Sequence, residues 1–168
     1  MKYYKILLND SFNRTKVKAE AMAVANQADG EPIPVDADAM CSEKQKAIRA
    51  SWRKIHVIVT PLCDVVQGKA INSRVIDGFL IAEGGGLIKY IDDRSEAIFI
   101  SPKFEIDGAV YSLVLNLRYF HTTHFDPKKL QEQGLTSLFR IRQSLLAEIQ
   151  SRLARHISRQ GVLFIDEG

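Results

Sequence analysis

The stretch that most limits what this chain can fold into covers residues 96–120, where Asp107-Gly108 stands between two runs rich in apolar residues. A two-residue hairpin loop needs positive φ, which Gly adopts freely and Asp tolerates better than most residues. If those two residues form the loop, Ile106 faces Ala109, and Phe104, Pro102, Ile100 and Ile98 face Tyr111, Leu113, Leu115 and Leu117. That makes one face almost wholly apolar. The other face pairs Glu105 with Val110, Lys103 with Ser112, Ser101 with Val114 and Phe99 with Asn116, and is half wet. A slip of one residue would exchange the two faces, so the pattern fixes the register. Pro102 has no N–H to give and belongs on an edge or at a bulge. A bulge there would turn Ile98 and Ile100 away from the core.

The remaining elements are read from periodicity and punctuation. Residues 2–8, rich in Tyr, Ile and Leu, are expected to form a first strand closed by Asn9-Asp10-Ser11. Val17, Ala21, Val24 and Ala28 recur at helical spacing over residues 13–28, and Gly30 and the prolines after it stop that helix and leave a loop over residues 29–41. Ser42-Glu43-Lys44-Gln45 matches a capping box that opens a second helix, with Ile48 and Trp52 facing inward. Residues 55–59 read as a buried strand. Residues 79–83 and 87–91 flank Gly84-Gly85-Gly86 as a second hairpin. Asp126-Pro127 opens a short helix, and a long one is expected over residues 136–160, where Leu138, Leu145, Leu146, Ile149, Leu153 and Ile157 share a stripe. Arg142 falls inside that stripe and, if buried, needs a carboxylate or a helix end opposite it. Residues 162–165 can add a final strand. The order gives one α+β domain over residues 1–168. It is an antiparallel-rich sheet of about five to seven strands, with two or three helices packed on one face and a long C-terminal helix.

At 168 residues, 46% hydrophobic and 26% charged, the chain is composed as an ordinary globular domain able to bury a real core. No apolar run approaches the roughly 20 residues of a membrane span, and the N-terminus is too brief for a secretory signal, so a cytoplasmic location without membrane partners is expected. Cys41 and Cys63 form no CxxC pair and read as free thiols. The net charge of +3 is mild, so any argument for nucleic acid must rest on local clustering.

Such a cluster lies on the C-terminal helix, where Arg152, Arg155 and Arg159 share a stripe suited to phosphates, with Arg14 and Lys46 adding charge from the earlier helices. The plain reading is a solvated face on which Glu148 partners Arg152 at i,i+4. A second cluster is His121, His124 and Asp126, which are zinc-ligand types. On a continuing strand, however, an odd separation sends the two histidines to opposite faces, and Asp126 is a helix cap. Gly84-Gly85-Gly86 lacks the Lys-Ser/Thr of a phosphate loop.

His121-Thr122-Thr123 resembles one of the two His-x-Thr/Ser repeats of the two-histidine phosphoesterase superfamily. The place of the other is His56-Val57-Ile58, where isoleucine stands instead of the second hydroxyl. The resemblance covers those two tripeptides. It implies His56 and His121 as acid and base on a 2',3'-cyclic phosphate, with Thr123 helping to hold the phosphate. Without it, the sequence shows no constellation of catalytic residues and calls for no cofactor. It reads first as a non-catalytic interaction module with a protein partner or a second copy of itself, then as a nucleic-acid-associated protein, and then as a phosphodiesterase or metal hydrolase centred on His121.

Overall fold

The computed structural model describes residues 2–26, 36–67, 72–124 and 134–161. Helices α1 (Lys2–Ser11), α2 (Arg14–Asn26) and α3 (Ala37–Ser51) come first, followed by strand β1 (Trp52–Ile58), a short helix α4 (Leu62–Val66) and strand β2 (Ser73–Ala82). A 3-10 helix (Gly84–Tyr90), strands β3 (Ile98–Ile100), β4 (Phe104–Ile106) and β5 (Ala109–Thr123), and helix α5 (Gln143–Gly161) complete the order. The five strands form one antiparallel sheet in the order β1-β2-β5-β3, with β4 also paired to β5. Among the described residues no helix is long and apolar enough to cross a membrane.

Both faces of the sheet are covered, and strand alternation sorts the side chains between them. On one face Phe79, Ile81, Ile98 and Val114 meet Leu7 and Leu8 of α1, Val17 of α2, Cys41 and Ile48 of α3, and Tyr90 of the 3-10 helix. On the other, Ile55, Val57, Leu80, Leu113 and Leu115 meet Ile149 and Leu153 of α5. Helices α1, α2 and α3 share one face, and the long C-terminal helix lies across the opposite, Leu-rich face.

The Asp107-Gly108 loop has φ of 52° and 76°, and Ile106↔Ala109 and Phe104↔Tyr111 pair as the turn dictates. Beyond Pro102 the register moves by one residue, giving Ile98↔Asn116, Phe99↔Leu115 and Ile100↔Val114. The missing proline donor is made good by Ser101, whose amide donates to the Leu113 carbonyl (2.9 Å) while its Oγ accepts from the Leu113 amide (2.9 Å). Ile98 and Ile100 accordingly pack toward α1–α3, and Phe99 takes the α5 side.

Several expectations are corrected. Residues 2–8 are helical because Tyr4, Leu7, Leu8 and Ser11 form a stripe at helical spacing that lies on the sheet, with Leu7, Leu8 and Ser11 fully buried. Helix α3 opens earlier than the Ser42 box, at Asp36, whose carboxylate accepts from the Asp38 and Ala39 amides; Gln45 instead bonds Asn9. The Gly84-Gly85-Gly86 hairpin does not form. Residues 79–82 continue β2 between β1 and β5, and the glycines open the 3-10 helix, whose Tyr90 is buried with its hydroxyl donating to Glu20. Helix α5 starts at Gln143. Arg142 precedes it and is exposed, so no buried guanidinium has to be compensated; of the expected stripe, Leu138 lies before the helix and is 43% exposed, and Ile157 within it is 46% exposed. The helix at Asp126-Pro127, the strand at residues 162–165 and most of the loop over residues 29–41 lie outside the described residues.

The largest irregularity lies between β2 and β5. The pairing passes from Ile76↔Phe120 directly to Gly78↔Leu115, so the single residue Asp77 stands opposite the four residues from Asn116 to Tyr119. Three extra residues are an odd number, so side-chain alternation inverts across the bulge. Before it, Val114 and Asn116 point to the α1 side; after it, Tyr119 and His121 do. Asn116 is fully buried and pins the bulge: its Nδ2 donates to Ser11 Oγ (3.2 Å) and its Oδ1 accepts from the Arg118 amide (3.2 Å). At its edge β5 presses on Gly78, where an added Cβ would come within 2.3 Å of the Val114 carbonyl oxygen and 2.6 Å of Leu115 Cδ2. Gly78→Ala is therefore expected to lower the urea midpoint by the equivalent of about 2 kcal/mol or more. Gly84→Ala, whose Cβ would meet nothing within 4 Å, should stay within about 1 kcal/mol of the parent. Equal midpoints for the two variants would show that β5 does not press on Gly78.

Candidate functional site

Asp77 is a carboxylate set in an otherwise apolar strand, Val75-Ile76-Asp77-Gly78-Phe79-Leu80-Ile81, and it is 2% exposed. A buried charge of this kind persists only with partners. On β1, directly across the ladder, His56 brings Nδ1 to 2.5 Å from Asp77 Oδ1. From α1 the Tyr3 hydroxyl donates to Oδ2 at 2.5 Å. From β5, His121 pairs with Val75 and reaches diagonally, placing Nδ1 3.6 Å from Oδ2. Since an ionised carboxylate only accepts, the His56 Nδ1 carries the proton and its Nε2 faces away. The Tyr4 hydroxyl stands 3.5 Å from that Nε2 and 3.4 Å from the Ile55 carbonyl.

Each arm of the cluster has a local cause. His56 lies on the face of β1 opposite the buried Ile55 and Val57. Tyr3 and Tyr4 are in the first turn of α1, anchored one turn later by Leu7 and Leu8. His121 reaches this face only because the bulge inverts the alternation of β5. Aromatic rings brace the set: Tyr3 meets Tyr4 and Tyr119 edge-on at 5.5 and 5.4 Å, and Tyr4 meets Trp52 at 6.1 Å. Tyr119 also bonds Asp10 of α1. His56 and His121 keep 34% and 43% of their side-chain surface open to solvent, so the buried carboxylate supports two accessible imidazoles.

Burial works to raise the Asp77 carboxyl. The hydrogen bonds from His56 and Tyr3, with the charges of His56 and His121, outweigh it and hold the carboxyl below the usual range. Burial, then the Asp77 bond and charge, push the Tyr3 hydroxyl up, and burial with the Asp77 charge does the same to Tyr4. Tyr119 is pushed up to about 12, first by burial and then by its bond to Asp10. Chemically, the cluster holds one tautomer of His56 and places a negative charge where an imidazolium formed during proton transfer would be stabilised.

Of the residues singled out from the sequence, His56 and His121 come together at Asp77, and Thr123 lies on the same face of β5, two residues beyond His121. His124 follows the end of β5, and Asp126 lies outside the described residues, among which no group of three His, Cys, Asp or Glu is placed to hold a metal ion. Arg152 and Arg155 belong to α5, on the far face of the sheet; the side chain of Arg159 lies outside the described residues. Arg152 pairs with Glu148 at 3.2 Å and stands 5.1 Å from the Phe99 ring centroid. Arg14 and Lys46 belong to α2 and α3, in the layer on the opposite side. Thus the sheet divides the basic set. Cys41 is buried in the core and Cys63 is exposed.

Asp77, Tyr3 and Tyr4 were not singled out from the sequence. The available signal was an acid inside a run of five apolar residues and a glycine, which demands a partner from elsewhere. Compared with protein-family models, with curated proteins and with solved structures, the chain matches none of them.

Because the Asp77 carboxyl is depressed in the folded chain, its stabilising contribution is complete above the ordinary aspartate value of about 3.9. It is lost as pH falls through the lower folded value. The urea midpoint of Asp77→Asn is therefore expected to lie well below the parent at pH 5, with the gap narrowing as pH falls below 4. A gap that stays constant down to the acid limit would show that Asp77 is not held ionised by these partners.

Proposed function

We propose that the chain is an acid–base phosphodiesterase acting on a 2',3'-cyclic phosphate, with His56 and His121 as the proton-transferring pair. The observation that carries this reading is the convergence of two accessible imidazoles, from strands on either side of β2, on one buried carboxylate. His56, held directly by Asp77, is assigned as general base: its Nε2 takes a proton from water as the water oxygen bonds to phosphorus. His121 in its protonated form gives a proton to the departing ribose oxygen as the P–O bond breaks. One proton enters the pair and one leaves it, giving a phosphomonoester, and proton exchange with solvent resets the rings. Asp77 is a positioning residue that also balances the imidazolium formed on His56. Tyr3 positions Asp77 in turn.

The resemblance of His121-Thr122-Thr123 to a His-x-Thr repeat supports the phosphate class, and the +3 net charge is compatible with an anionic substrate. The interaction-module reading is favoured by a different observation: Tyr3 and Ile6, one turn apart on α1, are 41% and 52% exposed, and make a surface able to meet a protein partner or a second copy. A nucleic-acid-binding reading has only part of the basic set to work with on any one face of the sheet.

Assay with 2',3'-cyclic nucleotides is expected to give turnover with a bell-shaped pH dependence, and His56→Ala or His121→Ala should each lower kcat/KM by about 10²- to 10⁴-fold. Asp77→Asn should lower kcat more than it raises KM. Absence of turnover on every cyclic nucleotide, with light scattering showing a dimer broken by Ile6→Glu, would favour the interaction reading instead.

A further inference from the structure

Strand β1 stands at one end of the sheet order and pairs only with β2. Because the Val59 amide donates to the Arg74 carbonyl (2.8 Å), the odd-numbered residues of β1 turn their amides and carbonyls toward β2, and those of Trp52, Lys54, His56 and Ile58 point outward. Among the described residues nothing bonds those outward groups, so this edge is open to a further strand. Two copies of β1 do not suit each other: fully overlapped and antiparallel, they set Lys54 opposite His56 and bring the bases of both copies into one short ladder. An acidic extended segment suits the edge, and the chain contains one. Residues 162–168, Val-Leu-Phe-Ile-Asp-Glu-Gly, lie outside the described residues and match β1 in length. Laid antiparallel, they set Glu167 opposite Arg53, Asp166 opposite Lys54, Ile165 opposite Ile55, Phe164 opposite His56, Leu163 opposite Val57 and Val162 opposite Ile58. Both acids then meet bases, Leu163 and Ile165 extend the buried face of Ile55 and Val57, and Val162 covers Ile58, which is 45% exposed. Moving the segment two residues sets Glu167 opposite buried Ile55 or Asp166 opposite Trp52, and moving it one exchanges the faces. The same chain's segment starts on the wrong side of the sheet. After Gln150, which reaches the Val59 carbonyl at 2.8 Å, α5 passes toward β3: Arg152 stands over Phe99, and Arg155 and His156 line a cavity with Glu96, just before β3. From β3 to a strand added beyond β1 is four strand spacings, roughly 19 Å, a crossing that would use about six of the seven residues.

We infer that residues 162–168 of one copy add as an antiparallel strand to the β1 edge of a second copy, and that reciprocal exchange closes a twofold dimer. The inference is independent of the phosphodiesterase reading and uses a surface other than that of Tyr3 and Ile6. It also bears on the cluster, since the added strand sets Phe164 beside His56 and makes the surroundings of one imidazole depend on association.

Sedimentation velocity on the full chain, without substrate, tests the exchange. The parent is expected to pass from monomer to dimer as concentration rises. Phe164→Pro, which removes an amide from the added strand, and the double variant Asp166→Lys/Glu167→Lys, which sets like charges opposite Arg53 and Lys54, should each raise the dimer Kd by about tenfold or more. Arg53→Glu/Lys54→Asp should do the same. Combining the two double variants restores opposite charges across the ladder and should return the Kd to within about threefold of the parent, which loss of folding cannot produce. A parent that stays monomeric at every concentration overturns the inference. So does a dimer that Ile6→Glu breaks while the Phe164 and charge variants leave it intact, or a charge swap that restores nothing. Circular dichroism establishes that each variant is folded. None of these outcomes depends on turnover, so the catalytic reading stands or falls separately.

Discussion

A carboxylate placed inside a sheet that is covered on both faces is costly unless its charge is met by donors or positive groups, and in this chain that carboxylate is Asp77. Much of the surrounding structure can be understood as the answer to it. β1 brings His56 directly across the ladder, α1 lays Tyr3 over it, and β5 departs from regular pairing so that four residues pass the one position that Asp77 occupies. The neighbouring Gly78 matters for the same reason, because only a residue without a Cβ lets β5 lie that close at the start of the bulge. Docking of α1 is thus partly polar: Tyr3 to Asp77, Tyr119 to Asp10 and Asn116 to Ser11 fix the helix in rotation and along its axis, and Leu7 and Leu8 supply the apolar contact.

The same interactions give the cluster its chemical character. A deeply buried carboxylate with two half-exposed imidazoles combines a rigid support with accessible proton carriers, and the support is built on strands. A merely structural pin would be served by Tyr3 and His56. The third arm, His121, adds little to docking, since it lies at the solvent end of β5 and contacts Asp77 at 3.6 Å. Its presence there is what makes proton transfer the reading that best accounts for the whole set.

Legibility varied with the range of the interactions responsible. The hairpin from residue 98 to 117 was readable because Asp107-Gly108 fixes one end and Pro102 marks where pairing must slip, and both are local properties of the residues themselves. The stretch from Tyr3 to Leu8 misled because its aromatic and branched residues suit a strand, while Tyr4, Leu7, Leu8 and Ser11 fit a helix equally well; packing on the sheet settled the choice. Gly84-Gly85-Gly86 suited a turn, but residues 79–82 gained more from continuing β2 between two neighbours than from pairing with residues 87–91. His56 and His121 stood out through a short resemblance, whereas Asp77, the residue that unites them, did not, because its partners lie 21, 44 and 74 positions away in the chain.

What the sequence determined by itself was therefore the local chemistry: where a two-residue turn can form, where a proline must break a ladder, which helix can cover a leucine-rich face, and which residues can carry a proton. What only the tertiary structure decided was which face each of those residues occupies beyond residue 116. Three extra residues in β5 invert its alternation, and that parity depends on how β5 passes Asp77 and Gly78 on another strand. A pattern of period two carries no record of where a neighbouring strand will make it skip, so the meeting of His56, Asp77 and His121 is a property of the folded sheet.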